Sequence, residues 1–135
     1  MTNQSALAKG TVAIDFDGVI HQYTRGWHDG SIYDPPMPLA FSAMIDLCGR
    51  GYAVYIHSTR ESRQIVDWIN DQQKVMTAVV IPRNILFWNP QMNPYIVGVT
   101  NRKLPALVYI DDRALRFTTW DLTMKDFDER EAHEF

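Results

Sequence analysis

At positions 12–20 the chain reads Val-Ala-Ile-Asp-Phe-Asp-Gly-Val-Ile, an apolar run followed by two carboxylates and a glycine. The apolar run predicts a buried strand over residues 11–15. The chain turns where that strand ends, so Asp15 and Asp17 can point into one pocket. Two carboxylates this close repel each other unless a cation or a shared proton lies between them. The stretch therefore predicts a metal site, a nucleophile or both, and the alternative is a solvated Asp-x-Asp-Gly turn.

After this stretch, short apolar runs alternate with segments in which apolar residues recur at helical spacing. The pattern predicts strands at 11–15, 52–56, 95–99 and 106–110, and helices from residue 39 to about 48 and over 62–72. Residues 79–81 fit either a strand or the end of a longer helix. The alternation predicts an α/β fold, a Rossmann-like three-layer sandwich with a central parallel sheet. No linker or repeat interrupts residues 1–135, which predicts a single domain.

The last third of the chain carries two further expectations about burial. Residues 106–110 are predicted to form a buried strand, and a short helical segment with a charged tail should follow it. Phe117 and Trp120 are expected to lie in the core.

A polar, aromatic and glycine-containing segment lies between the first strand and the first helix. Residues 21–38 show no clear period, and three prolines near their end exclude a helix there. We interpret 21–38 as a loop or a small flap. Its histidines, His21 and His28, are expected to be solvated.

Composition narrows the function classes. A formal charge of −3 gives no broad electrostatic reason to bind nucleic acid or an anionic membrane. The single cysteine, Cys48, excludes an intramolecular disulfide and is typical of a reducing compartment. No apolar run approaches the length of a membrane span. A cytoplasmic protein without membrane partners is expected.

Polar residues follow three of the predicted strands. Because ligands of open α/β sheets bind at the carboxyl ends of the strands, we expect these residues to share one site. They are Asp15 and Asp17 after the first strand, Ser58 and Thr59 after the second, and Asp111 and Asp112 after the last, with Lys103 ahead of that strand.

In this order the motifs resemble those of haloacid dehalogenase-type (HAD-type) phosphohydrolases. The family's first motif, Asp-x-Asp-Gly, matches residues 15–18, and its strand ending in serine or threonine matches Ser58. Its lysine matches Lys103, and its final acidic pair matches 111–112. Only 21–38 and 74–99 offer room for a cap domain, so the chain is similar to the small capless subgroup.

The resemblance implies a Mg²⁺-dependent phosphomonoester hydrolase that works through an aspartyl-phosphate. It implies that Asp15 is the nucleophile and that Asp17 is the acid and then the base. It implies that Ser58 and Lys103 contact the phosphoryl group. The implied metal ligands are Asp15, Asp17 through its carbonyl, Asp111 and Asp112, and the substrate contacts are Gly18, Ser58, Thr59 and Arg60.

Two other functions remain open on the sequence. A catalytically silent HAD-like module would bind a phosphorylated ligand or partner. A nucleic-acid end phosphatase is the other, since the open site would admit a polymer end and residues 58–61 resemble the second motif of polynucleotide phosphatases. The net negative charge is a mild argument against the latter. The class of the phosphorylated substrate is not predicted.

Overall fold

The computed structural model of this chain describes residues 8–90 and 93–135. These residues form five strands and three helices, in the order β1 (Thr11–Asp15), α1 (Ala40–Gly49), β2 (Ala53–His57), α2 (Ser62–Gln72), β3 (Thr77–Val80), β4 (Ile96–Thr100), β5 (Val108–Ile110) and α3 (Trp120–His133). The strands make one parallel sheet in the order β3-β4-β2-β1-β5. The predicted α/β fold with a central parallel sheet is confirmed.

The two strands beside β1 fix what lies near the end of β1. In the register of the sheet, Asp15 pairs with His57 of β2, and Ile14 pairs with Ile110 of β5. One position beyond that last pair, Asp15 faces Asp111. All strands are parallel, so their carboxyl ends meet at the same edge of the sheet.

One face of the sheet packs against α1 and α2. Alternate residues of a strand share a face, and Val12, Ile14 and their equivalents on β2 and β4 contact the helices there. Met44 of α1 and Ile65 of α2 are 2% and 0% exposed. The start of α2 is fixed by Glu61, whose side chain accepts a hydrogen bond from the backbone N–H of Arg63, as is usual for helix N-caps.

Irregular segments rather than helices cover the other face. Trp88 and Leu104 pack there against Tyr55, and the Trp88 indole N–H donates to the Val54 carbonyl at 2.9 Å. The Tyr55 hydroxyl donates to the Leu104 carbonyl at 2.7 Å and accepts from the Leu104 N–H at 2.9 Å. These bonds hold the segment that carries Lys103 against this face of the sheet, at β2.

The end of the chain differs from the sequence prediction. β5 is an edge strand whose residues are exposed, with Val108 at 48% and Ile110 at 41%, because neither α1 nor α3 covers them. Phe117 and Trp120 are exposed rather than in the core. The predicted short helical segment is the 14-residue helix α3. It packs on the preceding loop through Arg130, which donates to backbone carbonyls at 113 and 114.

Residues 21–38 contain neither a helix nor a regular strand, as predicted for a flap. The segment folds back on the end of β1 through isolated bridges that pair His21 with Asp17 and with Pro36. Among the residues that the structure describes, no helix is both long enough and apolar enough to cross a membrane.

Candidate active site

Three carboxylates meet where β1 and β5 end. Oxygens of Asp15, Asp111 and Asp112 lie within 4.8 Å of one another. Asp15 is half-buried, while the other two are exposed. The sequence analysis grouped these residues from their positions after strands, and the parallel register brings them together.

The electrostatics of this group fit a divalent cation. Burial raises the pKa of the Asp15 carboxyl to about 7, and the charges of Asp111 and Asp112 act in the same direction, against a hydrogen bond from the Phe16 backbone. A cation would relieve this repulsion. Oxygen donors without sulfur or nitrogen are the set that Mg²⁺ prefers. The residues present therefore fit Mg²⁺, with Asp15, Asp111 and Asp112 as the carboxylates that would hold it.

A cavity of about 140 Å³ adjoins the acidic group. Its lining includes Asp15, Asp111, His57 and Lys103. The Lys103 ammonium lies 4.6 Å from the centre of the Tyr109 ring, a cation–π distance. Lys103 therefore lines the same cavity as Asp15 and Asp111.

His57, the last residue of β2, also lies at this site. It is the register partner of Asp15 and lines the same cavity. Burial lowers its pKa, Lys103 lowers it further, and Asp111 opposes the shift. These effects favour a neutral imidazole next to the nucleophile candidate. Its position at the carboxyl end of β2 is the sequence signal that could have identified it.

Ser58 and Thr59 begin the loop after β2. Ser58 is buried, with its N–H donated to the Thr100 carbonyl at 3.1 Å. Its hydroxyl oxygen accepts the N–H of Arg60 at 3.2 Å, so the hydroxyl proton remains to be donated. Thr59 is exposed at the same edge.

Asp17 lies in a different environment from Asp15. The Arg60 guanidinium donates through Nε to both Asp17 oxygens, at 2.8 and 3.1 Å. Nδ1 of His21 lies 2.8 Å from Asp17 Oδ1. To act as an acid, Asp17 would need a proton on one of the two oxygens that Arg60 and His21 contact. To act as a base, it needs a carboxylate, which is the form that accepts these hydrogen bonds.

His21 differs from the solvated loop histidine that was expected. Its side chain is 0% exposed, and its Nε2 accepts the backbone N–H of Asp34 at 3.0 Å. That bond leaves the ring proton on Nδ1, from where it is donated to Asp17. His28 is exposed, as predicted. His21 is four residues beyond Asp17, and the local sequence carries no periodic signal that would place it inside.

The sequence has little similarity to known proteins. No protein-family model matches the sequence, and none of the curated proteins matches it. One solved structure that is similar is described as that of a conserved protein coded by a locus from Bacteroides thetaiotaomicron. It is 20% identical, the alignment covers 90% of this chain and 91% of that one, and the TM-score is 0.46. At that level the likeness carries no argument about fold or function.

Proposed function

We propose that the protein is a Mg²⁺-dependent phosphomonoester hydrolase that works through an aspartyl-phosphate on Asp15. The observation that carries the proposal is the group of Asp15, Asp111 and Asp112 beside the cavity that Lys103 lines. Burial raises the pKa of the Asp15 carboxyl, the charges of Asp111 and Asp112 act in the same direction, and a bound cation would offset both effects. A basic side chain beside such a cation is the arrangement that phosphoryl transfer uses.

The proposed reaction has two displacements. In the first, a carboxylate oxygen of Asp15 attacks phosphorus, the bond to the ester oxygen breaks, and Asp17 gives that oxygen a proton. In the second, Asp17 takes a proton from water, whose oxygen displaces Asp15 and releases inorganic phosphate. Lys103 and the Ser58 hydroxyl donate to phosphoryl oxygens throughout. A bound Mg²⁺ would neutralise charge on the phosphoryl group.

A second candidate is favoured by the contacts of Asp17. Arg60 and His21 occupy the oxygens of the carboxyl group that would protonate the leaving group. A protein locked in this arrangement would bind a phosphorylated ligand or partner without turning it over. It would be the silent module that the sequence analysis left open.

The test is phosphate release from a panel of esters with Mg²⁺ and with a chelator instead. The panel comprises p-nitrophenyl phosphate, nucleotides, sugar phosphates, and oligonucleotides phosphorylated at either end. We expect hydrolysis only with Mg²⁺ and its loss in Asp15→Asn, which removes the nucleophile without changing its shape. Asp67→Asn, an exposed change on α2, is the matched control. A wild type that binds phosphate but hydrolyses no ester would overturn the enzyme and favour the silent module.

A further inference from the structure

Arg60 is the largest fully buried side chain among the described residues, at 2% exposure. A buried charge is costly unless it is paired and hydrogen-bonded. Its Nε pairs with both oxygens of Asp17, and its Nη1 donates to the Gly30 carbonyl at 2.7 Å. One guanidinium therefore links the end of β1, the loop after β2 and the flap formed by residues 21–38.

The flap side of this link has two further contacts. The ring of Trp27 lies 4.7 Å from the Arg60 guanidinium carbon, at a cation–π distance. The Gln64 amide donates to the same Gly30 carbonyl at 2.8 Å. Gln64 therefore fastens the flap, and it also accepts a long hydrogen bond of 3.4 Å from Arg60 Nη1. Among the described residues it makes no hydrogen bond to Asp17, so its loss tests flap fastening more than the orientation of Asp17.

The hydrogen bonding of Arg60 is incomplete in this arrangement. Its Nη2 is buried and has no hydrogen-bond partner in the part of the chain that the structure describes. An unpaired buried donor is unfavourable. The bonds to Asp17 and Gly30 therefore offset only part of the cost of burying this guanidinium.

Asp17 is also held from its other side. The Nδ1 of His21 contacts Asp17 Oδ1, and the Nε2 of His21 accepts from Asp34 of the flap. The Asp17 carboxylate thus lies between the buried side chains of Arg60 and His21. Each of these side chains is also hydrogen-bonded to the backbone of the flap. Rotation of the Asp17 side chain breaks at least one of these bonds.

We propose that Arg60 is a positioning residue that orients the Asp17 carboxylate to take a proton from water and fastens the flap beside it. The inference rests on the proposed function, since Asp17 acts only if an ester is hydrolysed. Arg60 acts through Asp17, so its loss should slow the chemical step rather than weaken substrate binding.

The experiment compares Arg60→Ala with Gln64→Ala and with Arg63→Ala, an exposed control on α2. We expect Arg60→Ala to lower kcat about a hundredfold, the scale of lost acid–base catalysis, with KM nearly unchanged. Methylguanidinium, but not urea, should restore part of kcat by filling the vacated space. Hydrogen exchange of residues 22–34 should rise in Arg60→Ala and in Gln64→Ala, while Gln64→Ala should retain most of kcat.

The outcomes separate the two proposals. A wild type that hydrolyses no ester removes the proposed function, and the positioning role with it, while the hydrogen-exchange measurement still reports whether Arg60 fastens the flap. An active wild type whose Arg60→Ala variant keeps its kcat overturns the positioning role alone. So does a Gln64→Ala variant as slow as Arg60→Ala, because the effect would then come from the flap. If Arg60→Ala does not fold, Arg60→Met replaces it, because methionine fills much of the buried space without a charge or a donor. Wild-type kcat in that variant overturns the proposal.

Discussion

The Oδ2 atom of Asp112 lies against Gly18, so close that a Cβ atom at this position would clash with it. Gly18 also has a φ of +84°, in the region that favours glycine. The glycine of the first motif is therefore what admits the acidic pair of the last motif to the end of β1. The first and the last of the sequence motifs therefore meet at this point.

Gly18→Ala should disturb the acidic group and destabilise the fold. The added methyl group displaces the Asp112 carboxylate, and the left-handed backbone adds a cost of about 1 kcal/mol. Thermal unfolding and Mg²⁺ titration measure the two effects. Gly26→Ala is a matched control, since Gly26 has a φ of +64° but open space around its Cβ position. A Mg²⁺ titration equal in both variants would contradict the contact with Asp112.

The stability of the cation-free protein should fall as the pH rises through the folded pKa of Asp15. That pKa is about 7, against an ordinary value of 3.8. Between these values the unfolded chain releases a proton that the folded protein retains, so the free energy of unfolding decreases with pH. The penalty is absent below pH 4, and it is fully present only well above pH 7.

Asp15→Asn removes that penalty, and denaturant unfolding at two pH values measures the change. In the presence of a chelator, the variant should be more stable than the wild type at pH 8.5 and similar to it at pH 4. Asp67→Asn should show no such difference between the two pH values. If Asp15→Asn were destabilising at pH 8.5, the penalty ascribed to the burial of the Asp15 charge and to its charged neighbours would be wrong.

Asp111→Ala should raise the Mg²⁺ concentration needed for half-maximal activity about tenfold or more, as expected for a lost metal contact. The same change removes one of the charges that raise the pKa of Asp15. Calorimetric titration of the protein with Mg²⁺ gives the affinity independently of turnover. Titration curves identical to those of the wild type would remove Asp111 from the metal site.

Lys103→Ala should lower kcat/KM about a hundredfold, because a charged donor to the phosphoryl group is lost. Steady-state kinetics measure the change. Lys125→Ala, on α3, is the control. Arg102 is a poor control, although it is the neighbour in sequence, because it donates to three backbone carbonyls between residues 82 and 85. Normal kinetics in Lys103→Ala would show that this lysine does not reach the substrate.

The parallel sheet and the meeting of Asp15 with Asp111 and Asp112 could be predicted from sequence for the same physical reason. Apolar runs that alternate with helical period produce parallel strands, and parallel strands collect their carboxyl ends at one edge. Residue type and position after a strand are then enough to group the carboxylates, whereas Lys103, which precedes the last strand, is assigned through the resemblance to HAD-type phosphohydrolases.

Other features depended on contacts that no local pattern encodes. An apolar run such as 106–110 indicates a strand, but its exposure depends on its edge position and on where α3 packs. His21 is buried because the flap folds back over it. Arg60 can be buried because the Asp17 carboxylate pairs with its charge and the Gly30 carbonyl accepts a hydrogen bond from its Nη1. Such pairings join residues up to 43 positions apart.

The register of β1 makes correct folding and site assembly one event. Side chains alternate along the strand, so a slip of one residue against β2 would put Ile14 in place of Asp15 as the register partner of His57 and turn the apolar face of β1 away from α1. Such a slipped chain would lose its central packing together with Asp15. Formation of the site therefore indicates native pairing of β1 and β2 at the centre of the sheet. During refolding, the amount of Mg²⁺ bound should increase at the same rate as the burial of β1.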